Sequence, residues 1–359
     1  MTEYNLTEVC KKFNMTATTA PYGEGHINDT YLAQTAAGKY ILQRINHNIF
    51  KEPEKLMQNI VLVTEHLRKK IILKGGCPDR ETLTVIKTLN GNDFYQDASG
   101  NYFRMYIFID DTNTYQTVGK PEQFYNAARA FGRFQNELAD FPADTLYETI
   151  PNFHNTKVRF ENLLQAIKDN KAGRKSEIEA EIEFALKKEK DTLAIDDVIG
   201  RNEIPTRVTH NDTKLNNVLF DKETDEGVCV IDLDTVMPGS LLYDFGDSIR
   251  FGASTATEDE KDLSKVLCNL ELFNAFTKGF LEEMGSSITQ KEIELLPFSA
   301  KLMTYECGIR FLTDYLNGDT YFKIHRPEHN LDRCRTQFKL VADIENKMEQ
   351  MKEIVDKYV

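Results

Sequence analysis

Apolar and polar residues alternate along several short stretches in the first 110 residues of the chain. These stretches are "TYLAQT" (30–35), "KYILQRIN" (39–46), "LTVIKTL" (83–89) and "NYFRMYIFID" (101–110), and turn-forming segments such as "NGND" and "ASGN" separate them. A period of two residues is typical of strands with one buried face. The stretch "PEKLMQNIVLVTEHLRKK" (53–70) instead has its apolar residues at helical spacing. The pattern predicts a small antiparallel sheet with one helix.

From Pro121 onward the period changes to that of a helix, as in "PEQFYNAARAFGRFQNELADF" (121–141). Runs of β-branched residues return only at 206–210, 216–220 and 228–234. We therefore predict an α+β fold of two lobes. Residues 1–109 would form the small sheet-rich lobe, and residues 110–359 would form a larger, mainly helical lobe.

Composition fits a two-lobed globular protein. The chain has 359 residues, of which 41% are hydrophobic and 28% are charged, and this length exceeds the usual size of one hydrophobic core. A net charge of −13 argues against a general nucleic-acid binder, which would need clustered basic residues. No stretch approaches the ~18 apolar residues of a membrane span, and the amino terminus lacks signal-peptide order. We expect a cytoplasmic protein with no membrane partner, whose six separated cysteines are free thiols.

The most informative stretch is "VTHNDTKLNNVLF" (208–220), in which His210, Asp212, Lys214 and Asn217 lie between two predicted strands. Asp232 follows 15 residues after Asn217, in the apolar run "VIDLDTVMPG". A carboxylate can orient a hydroxyl group and accept its proton. An amide oxygen and a second carboxylate are suitable ligands for Mg²⁺ beside substrate phosphates. The residues indicate phosphoryl transfer, although a similar string also occurs in ordinary loops with Asx turns.

The stretch resembles the catalytic loop of the protein-kinase-like superfamily, and "THNDTKLNN…VIDLD" is most similar to its aminoglycoside phosphotransferase branch. That resemblance implies a bilobal kinase-like fold, ATP as co-substrate and Mg²⁺ as cofactor. It implies Asp212 as catalytic base and Lys214 as a partner of the γ-phosphate. Asn217 and Asp232 would be the magnesium ligands, and His210 would be a structural brace.

The resemblance also implies that the amino-terminal lobe covers the phosphates. In "PYGEGHINDTYLA", two glycines precede a strand and leave room for backbone N–H groups to approach phosphate oxygens. The residues expected in this loop are Gly23, Gly25, His26, Ile27 and Asn28. A plain hairpin turn is the alternative reading.

The strand "KYILQRIN" departs from the family pattern, because Gln43 occupies the position at which a Lys or Arg usually binds the phosphates. Arg44 is adjacent, but alternation along a strand points it to the other face. Glu65 in the following helix is the nearest candidate for the usual ion-pair partner. Either Gln43 acts as a neutral donor while Mg²⁺ and the glycine loop carry the charge, or the nucleotide binds somewhat differently.

The resemblance further implies that the hinge between the lobes lies in "FRMYIFIDDTNTY", so that the backbone from Tyr106 to Ile109 would bind adenine, with Ile41 and Met105 against the ring. A plain buried strand is the alternative, since backbone contacts leave no mark in a sequence.

Segments along the whole chain, among them "YGEGHIN", "FGRFQNEL", "IDLDTVMPGSLLYDFGDSIRFGAS" and "LLPFSAKLMTYECGIRFLTDYLNGDTYF", are similar to the N-acetylhexosamine 1-kinases of this branch. That similarity implies ATP-dependent phosphorylation of the anomeric hydroxyl of N-acetylglucosamine and N-acetylgalactosamine. The candidates for reading the sugar are Asp234, Arg310 and Tyr321, with Arg250 and Glu306 as further polar residues of the same region. The alternatives are a kinase of choline, homoserine, an aminoglycoside or another sugar, and a pseudokinase that binds nucleotide without catalysis.

Overall fold

The computed structural model describes residues 4–23 and 27–359. Its strands are β1 (Thr18–Pro21), β2 (Asp29–Gln34), β3 (Lys39–Ile45), β4 (Tyr95–Gln96), β5 (Tyr102–Ile107), β6 (Thr112–Asn113), β7 (Arg207–Thr209), β8 (Val218–Asp221), β9 (Gly227–Val230) and β10 (Met237–Gly239). Its helices are α1 (Leu6–Lys12), α2 (Pro53–Leu73), α3 (Pro78–Glu81), α4 (Pro121–Glu137), α5 (Thr156–Asp169), α6 (Glu179–Leu186), α7 (Ala194–Gly200), α8 (Leu241–Gly252), α9 (Leu270–Met284), α10 (Gln290–Asn317) and α11 (His329–Val355). Within the described ranges, no helix combines the length and the apolarity that a membrane crossing requires.

The chain divides into two compact units, and it passes from one to the other several times. The first unit comprises Met1–Thr114, Asp140–Pro151 and Val218–Pro238, and the second comprises Tyr115–Ala139, Asn152–Asn217 and Gly239–Val359. The candidate residues Asp212 and Asn217 therefore belong to the second unit, whereas Asp232 belongs to the first.

An antiparallel sheet forms the centre of the first unit. Its strands pair in the order β1-β2-β3-β5-β4. One face of the sheet is covered by α1, through an apolar cluster of Val9, Cys10, Phe13, Ala33, Leu42, Phe103 and Met105. The predicted strand at 83–89 is wrong: this segment makes only an isolated bridge, Val85 to Tyr106, beside β5. Its backbone nevertheless bonds to β5, since the Ile86 N–H donates to the Met105 carbonyl at 2.8 Å.

Helix α2 is the long helix predicted from the apolar spacing, and a buried asparagine attaches it to the rest of the first unit. The Asn59 amide donates to the backbone carbonyls of Tyr147 at 2.8 Å and Val236 at 3.0 Å, and its carbonyl accepts from the Tyr147 N–H. Glu65, the expected ion-pair partner of a phosphate-binding cation, is instead exposed on this helix.

The second unit is mainly helical, so the predicted α+β class, with a small antiparallel sheet and a larger helical part, is confirmed. Its core contains aromatic contacts between Phe245 of α8 and Phe273, Phe276 and Phe280 of α9. Helices α8 and α10 approach closely at Gly246, where a Cβ atom would lie only 2.5 Å from the Ser299 carbonyl oxygen. Glycine at this position lets α8 lie close to α10, and α8 carries the residue that anchors the candidate catalytic loop.

Candidate active site

The loop that follows β7 is held by its backbone. The N–H groups of His210 and Asn211 donate to the two carboxylate oxygens of Asp244, at 2.9 and 2.7 Å. Asn211 has a φ of +66°, a left-handed conformation that asparagine adopts more readily than most residues. The His210 side chain is fully buried, with its ring edge-on to Phe131, and its Nδ1 accepts from the Asp212 N–H at 3.3 Å.

Asp244, in the first turn of α8, was not predicted from the sequence. It is 1% exposed, and its Oδ2 also accepts from Gln135 at 2.6 Å. The Thr213 hydroxyl donates to the Asp244 carbonyl at 2.6 Å. Burial raises the pKa of the Asp244 carboxyl, against the opposing influence of His210 and of the N–H donors. The Asp244 carboxylate fixes the loop, because its oxygens accept hydrogen bonds from backbone N–H groups that would otherwise be buried without a partner.

Asp212 projects from this anchored loop between two partners. The Lys214 ammonium lies 2.6 Å from Asp212 Oδ1, and the Asn217 amide donates to Asp212 Oδ2 at 3.1 Å and to its backbone carbonyl at 2.7 Å. Burial opposes the charge on Lys214, but the carboxylates of Asp212 and Asp247 outweigh it and raise the lysine pKa. The structure thus brings together three residues that the sequence predicted to act together.

The arrangement leaves an oxygen of Asn217 for a cation. Because the Asn217 amide nitrogen makes both bonds to Asp212, its Oδ1 is directed elsewhere, and no described residue donates a hydrogen bond to it. Asn217 itself is 7% exposed. An amide oxygen beside a carboxylate has the hard-ligand character that Mg²⁺ requires.

A buried histidine on the other side of the loop was also missed by sequence reasoning. The His154 ring lies 2.8 Å from Glu306 Oε1 through Nδ1 and 3.1 Å from the Asn211 carbonyl through Nε2. Glu306 also accepts from Thr156 at 2.7 Å. Although burial disfavours its charge, His154 and neighbouring donors lower the pKa of Glu306. Glu306, a candidate sugar reader in the sequence, is therefore engaged inside the second unit.

In the first unit, Asp232 follows β9 in a left-handed conformation with a φ of +62° and lies exposed. Asp234, two residues later, is buried and forms an ion pair with Arg104 of β5, at 2.5 Å between Asp234 Oδ1 and Arg104 Nη1. Its other oxygen accepts from Asn28 at 2.6 Å. Both oxygens of Asp234 have partners within this unit, which is not the arrangement expected of a residue that reads a sugar.

The predicted phosphate loop is described in part. Gly23 has a φ of +76°, Ile27 is 45% exposed, and Asn28 accepts from the Asn46 N–H at 2.9 Å. Gly25 and His26 lie outside the described residues. Gln43 is on the sheet face opposite to Leu42, and it bonds to Thr30 and Arg104, both at 3.0 Å.

The predicted adenine contacts are divided between the two faces of the sheet. Ile41 pairs with Tyr106 and Leu42 pairs with Met105, so Ile41 and Met105 point to opposite faces. Met105 is fully buried in the cluster against α1, and the structure does not bring it to Ile41. Tyr106 and Ile109 are also buried. The N–H groups of Ile107 and Phe108 donate to the carbonyls of Thr84 and Lys39 and are not available to an adenine ring.

A cavity of about 300 Å³ lies in the second unit between α5, α10 and the segment after α10. Its lining includes Arg310 and Tyr321, two of the residues predicted to read the acceptor, together with Arg159. The Arg310 guanidinium lies between two aromatic rings, 5.7 Å from the centroid of Phe153 and 5.6 Å from that of Phe322. Tyr321 is 70% exposed. The link between this cavity and the catalytic loop is indirect: Phe153, whose ring lies near Arg310, is followed by His154, which lies 3.1 Å from the Asn211 carbonyl.

Comparison with known proteins agrees with this geometry. Residues 18–264 match the family model described as "Phosphotransferase enzyme family", APH. The match covers more than half of the chain and includes both the loop of Asp212 and the segment of Asp232. The chain belongs to the APH phosphotransferase family.

Solved structures with the same fold include several phosphotransferases. A spectinomycin phosphotransferase in complex with ADP and spectinomycin is 16% identical, with a TM-score of 0.60 over 96% of this chain and 98% of that one. A microcompartment-associated aminopropanol kinase is 13% identical, with a TM-score of 0.60 over 97% and 98%. An aminoglycoside phosphotransferase from Alicyclobacillus acidocaldarius is 12% identical, with a TM-score of 0.63 over 98% of each chain. At these identities the likeness shows that the APH fold extends over nearly the whole chain.

The residues of this APH phosphotransferase that sequence reasoning missed share one property. Asp244, His154 and Arg104 each contact residues of the candidate site or its loop across 31 or more positions of the chain. A weak signal for Asp244 and Arg104 was present, because each lies in an otherwise apolar stretch, "LLYDFG" and "YFRMYIF". Buried charged residues usually have a specific partner.

Proposed function

We propose that this APH phosphotransferase transfers the γ-phosphoryl group of ATP to a hydroxyl group of a small neutral acceptor, with Asp212 as the base. The observation that carries the proposal is the position of the Asp212 carboxylate, between the Lys214 ammonium at 2.6 Å and the Asn217 amide at 3.1 Å. Asp212 is partly exposed on a loop whose backbone is fixed by Asp244. A carboxylate held in one orientation can align a hydroxyl group and take its proton, which is the positioning that phosphoryl transfer requires.

We also propose Asn217 and Asp232 as the ligands of a magnesium ion. Asn217 offers an amide oxygen that accepts no hydrogen bond from the described residues, and Asp232 offers an exposed carboxylate. Mg²⁺ usually takes one or two protein ligands and fills its remaining positions with water and phosphate oxygens. The ion would neutralise charge on the phosphates during transfer. Asn217 holds Asp212 with its amide nitrogen, and its oxygen would be the atom that binds the cation.

The cavity of the second unit supports a neutral, hydroxyl-rich acceptor. Three cationic side chains (Arg159, Lys171 and Arg310) and two acidic ones (Asp169 and Asp314) line it. Asp314 already accepts hydrogen bonds from three backbone N–H groups, and the excess of positive charge disfavours a cationic acceptor such as choline. The lining also includes five amide and hydroxyl side chains: Asn162, Gln165, Thr313, Asn317 and Thr320. Groups of this kind hydrogen-bond to sugar hydroxyls, and a volume of about 300 Å³ is at the small end of ligand pockets.

Arg310 is the residue we assign to the acceptor. Its guanidinium is fixed between Phe153 and Phe322 and makes no hydrogen bond to any described residue, which leaves its five N–H donors for a ligand. Tyr321 lies in the same wall and has an exposed ring. We leave Asp234 out of this role, because both of its oxygens are already bonded in the first unit.

With the resemblance of the whole sequence, these features favour an N-acetylhexosamine as the acceptor and its anomeric hydroxyl as the site of transfer. The first unit, which includes the whole sheet-rich lobe predicted at 1–109, would bind the nucleotide, and the second would bind the acceptor and supply the base. Ile41, Tyr106 and Ile109 remain the proposed adenine contacts, and Gly23, Ile27 and Asn28 remain the proposed phosphate loop.

A panel of acceptors tests the proposal. The purified protein would be incubated with MgATP and, separately, N-acetylglucosamine, N-acetylgalactosamine, glucosamine, galactose, choline and homoserine, with ADP release measured and the product examined by ³¹P NMR. We expect turnover with the N-acetylhexosamines and a sugar 1-phosphate as product. Faster turnover of choline or homoserine than of every sugar would refute the acceptor assignment. ATP binding without turnover of any compound in the panel would favour a pseudokinase.

A further inference from the structure

Gln43 leaves the usual phosphate-binding position of β3 without a cation, and the neighbouring strand contains one. We propose that Arg104 of β5 is the cation that binds the phosphates of the nucleotide, with Gln43 as the acceptor that orients it and Asp234 as its ion-pair partner. This inference rests on the proposed use of ATP. In this proposal, Arg104 of the buried Arg104–Asp234 ion pair supplies the phosphate-binding cation that β3 lacks.

The register of the sheet puts Arg104 beside Gln43. The two residues are direct partners in the antiparallel pairing of β3 and β5, so their side chains project from the same face of the sheet. Arg104 Nε donates to Gln43 Oε1 at 3.0 Å. Gln43 Nε2 in turn donates to the Thr30 hydroxyl at 3.0 Å, which fixes the amide so that its oxygen faces the guanidinium. Gln43 therefore orients Arg104 and does not itself donate a hydrogen bond to phosphate.

This face of the sheet is also the face of the acidic segment after β9. Arg104 Nη1 lies 2.5 Å from Asp234 Oδ1, and Asn28, at the end of the predicted phosphate loop, donates to the other oxygen of Asp234 at 2.6 Å. The charge of Asp232, the proposed magnesium ligand, also acts on Arg104. Arg104 therefore lies beside Gln43 of β3 and Asp234 of the segment after β9, and Asp234 connects it to Asn28 of the predicted phosphate loop.

The guanidinium is only partly used by these contacts. Arg104 is 1% exposed, yet among the described residues its Nη2 has no hydrogen-bond partner. A purely structural ion pair of this kind gives little net stability, because the desolvation of two charges offsets their attraction. The guanidinium is held by one hydrogen bond at Nε and by the ion pair at Nη1, which makes no hydrogen bond of its own, so its terminal nitrogens keep N–H donors for a ligand. Phosphate oxygens are the acceptors that arginine binds best in this way.

Arg44 provides a matched control. It is adjacent to Gln43 on β3, but it pairs with Phe103 in the sheet and therefore points to the opposite face. Its guanidinium forms an ion pair with Asp29 at 2.5 Å. Arg44→Gln removes the same charge from the same sheet without touching the proposed phosphate site.

The test measures nucleotide affinity as a function of phosphate number. Titration calorimetry of the full chain with ATP, ADP and AMP in Mg²⁺ would compare the wild type with Arg104→Gln, Arg44→Gln and the double variant Gln43→Lys/Arg104→Gln. Loss of a charge-assisted bond should weaken ATP and ADP binding about 10- to 100-fold in Arg104→Gln, and change AMP binding by less than about 3-fold. The double variant should recover ATP affinity, because it restores a cation at the β3 position. Arg44→Gln should bind all three nucleotides as the wild type does.

Equal weakening for ATP, ADP and AMP, or no weakening, would overturn the inference. A wild-type protein that binds no ATP would instead refute the proposed function itself. If Arg104→Gln does not fold, the wild type labelled with ¹⁵N-arginine is examined by NMR, with the Arg104 Nε–Hε signal assigned by its absence in Arg104→Lys. ADP should then shift that signal more than AMP does, and equal shifts would count against the assignment.

Discussion

At the scale of single residues, Asp212 can be tested most directly. We propose that it aligns the acceptor hydroxyl and takes its proton, while its contacts with nucleotide are indirect. Asp212→Asn should lower kcat by ~10² or more and leave ATP affinity nearly unchanged, because a general base acts on the reacting hydroxyl. Steady-state kinetics and calorimetry measure the two quantities. Asn216→Ala, in the same loop, is the control, and a kcat above a tenth of the wild-type value in Asp212→Asn would exclude the base role.

The charge on Lys214 leads to a prediction about the pH dependence of the reaction. Its pKa is raised above the ordinary value, because Asp212 and Asp247 outweigh the effect of burial. A lysine whose pKa is raised on folding adds stability that is fully present below its unfolded pKa of about 10.4, and that is lost as the pH rises through the folded pKa. Lys214 therefore stays charged between pH 6 and 9. The loss of kcat/KM in Lys214→Met should be the same factor across this range, and a penalty that shrinks between pH 7 and 9 would show that the lysine titrates there.

The sequence predicted those residues of the candidate site that lie close together in the chain. His210, Asp212, Lys214 and Asn217 occupy one loop, so their spacing alone predicts that they act together. Asp234 and Met105 show the limit of this reasoning. The sequence gives their residue types but not their partners, and a one-residue shift in a strand reverses the face to which a side chain points.

At the scale of elements, the segment after α10 forms one wall of the cavity, and Asp314 holds it. Asp314 is 4% exposed. Its Oδ1 accepts from the N–H groups of Thr320 and Tyr321, at 2.9 and 2.8 Å, and its Oδ2 accepts from the Phe322 N–H at 2.9 Å. Asn330 of α11 also donates to Oδ2 at 2.9 Å. One carboxylate therefore sets the positions of Tyr321 and of Phe322, the ring against Arg310.

Asp314→Asn should loosen this wall, because an amide nitrogen would face two N–H donors in place of Oδ2. We expect a loss of about 1–3 kcal/mol in the free energy of unfolding, measured by chemical denaturation. In the folded variant, KM for the acceptor should rise several-fold while KM for ATP stays within twofold. Glu328→Gln, an exposed position before α11, serves as the control. Equal changes in both KM values would mean that the segment has no specific role in acceptor binding.

The helices were easier to predict than the strands. Long segments with a period of 3.6, such as α2 and α4, appear where the pattern predicts them. The segment 83–89 has the alternation of a strand, but it forms a single bridge, because it runs beside β5 for only a short distance. β1 and α1, which complete the first unit, are too short to give a clear period in the sequence.

At the scale of the whole molecule, the fold class followed from one change of period near Pro121. The composition of each unit did not follow, because segments 140–151 and 218–238 return to the first unit. The return at Val218 puts Asp212 and Asn217 in the second unit and Asp232 in the first, although Asn217 and Asp232 are only 15 positions apart in the chain. Returns of this kind depend on long-range contacts, which a pattern of local periods does not contain.

The acceptor itself is the final prediction, and it concerns the reaction as a whole. The anomeric hydroxyl of a reducing sugar is more acidic than the other hydroxyls, so a carboxylate base such as Asp212 needs little further activation of it. Selection then depends on how the rest of the sugar is held. If Arg310 and the amide side chains of the cavity bind the acetamido group and ring hydroxyls, an analogue without that group leaves a buried donor or acceptor unpaired.

The cost of such a loss is ~1–3 kcal/mol, or about 5- to 150-fold in kcat/KM. We therefore expect glucose and galactose to be poorer acceptors than N-acetylglucosamine and N-acetylgalactosamine by that factor, and Arg310→Lys to reduce the difference, because lysine lacks the planar fork of donors. The C4 epimers should differ less from each other than either does from its analogue without the acetamido group. Competition between paired sugars in one reaction, with products separated by chromatography, measures the ratios directly. Equal use of glucose and N-acetylglucosamine, or phosphate at C6, would remove the acetamido group from the recognition and leave Asp212 and Asn217 as parts of a kinase for a different acceptor.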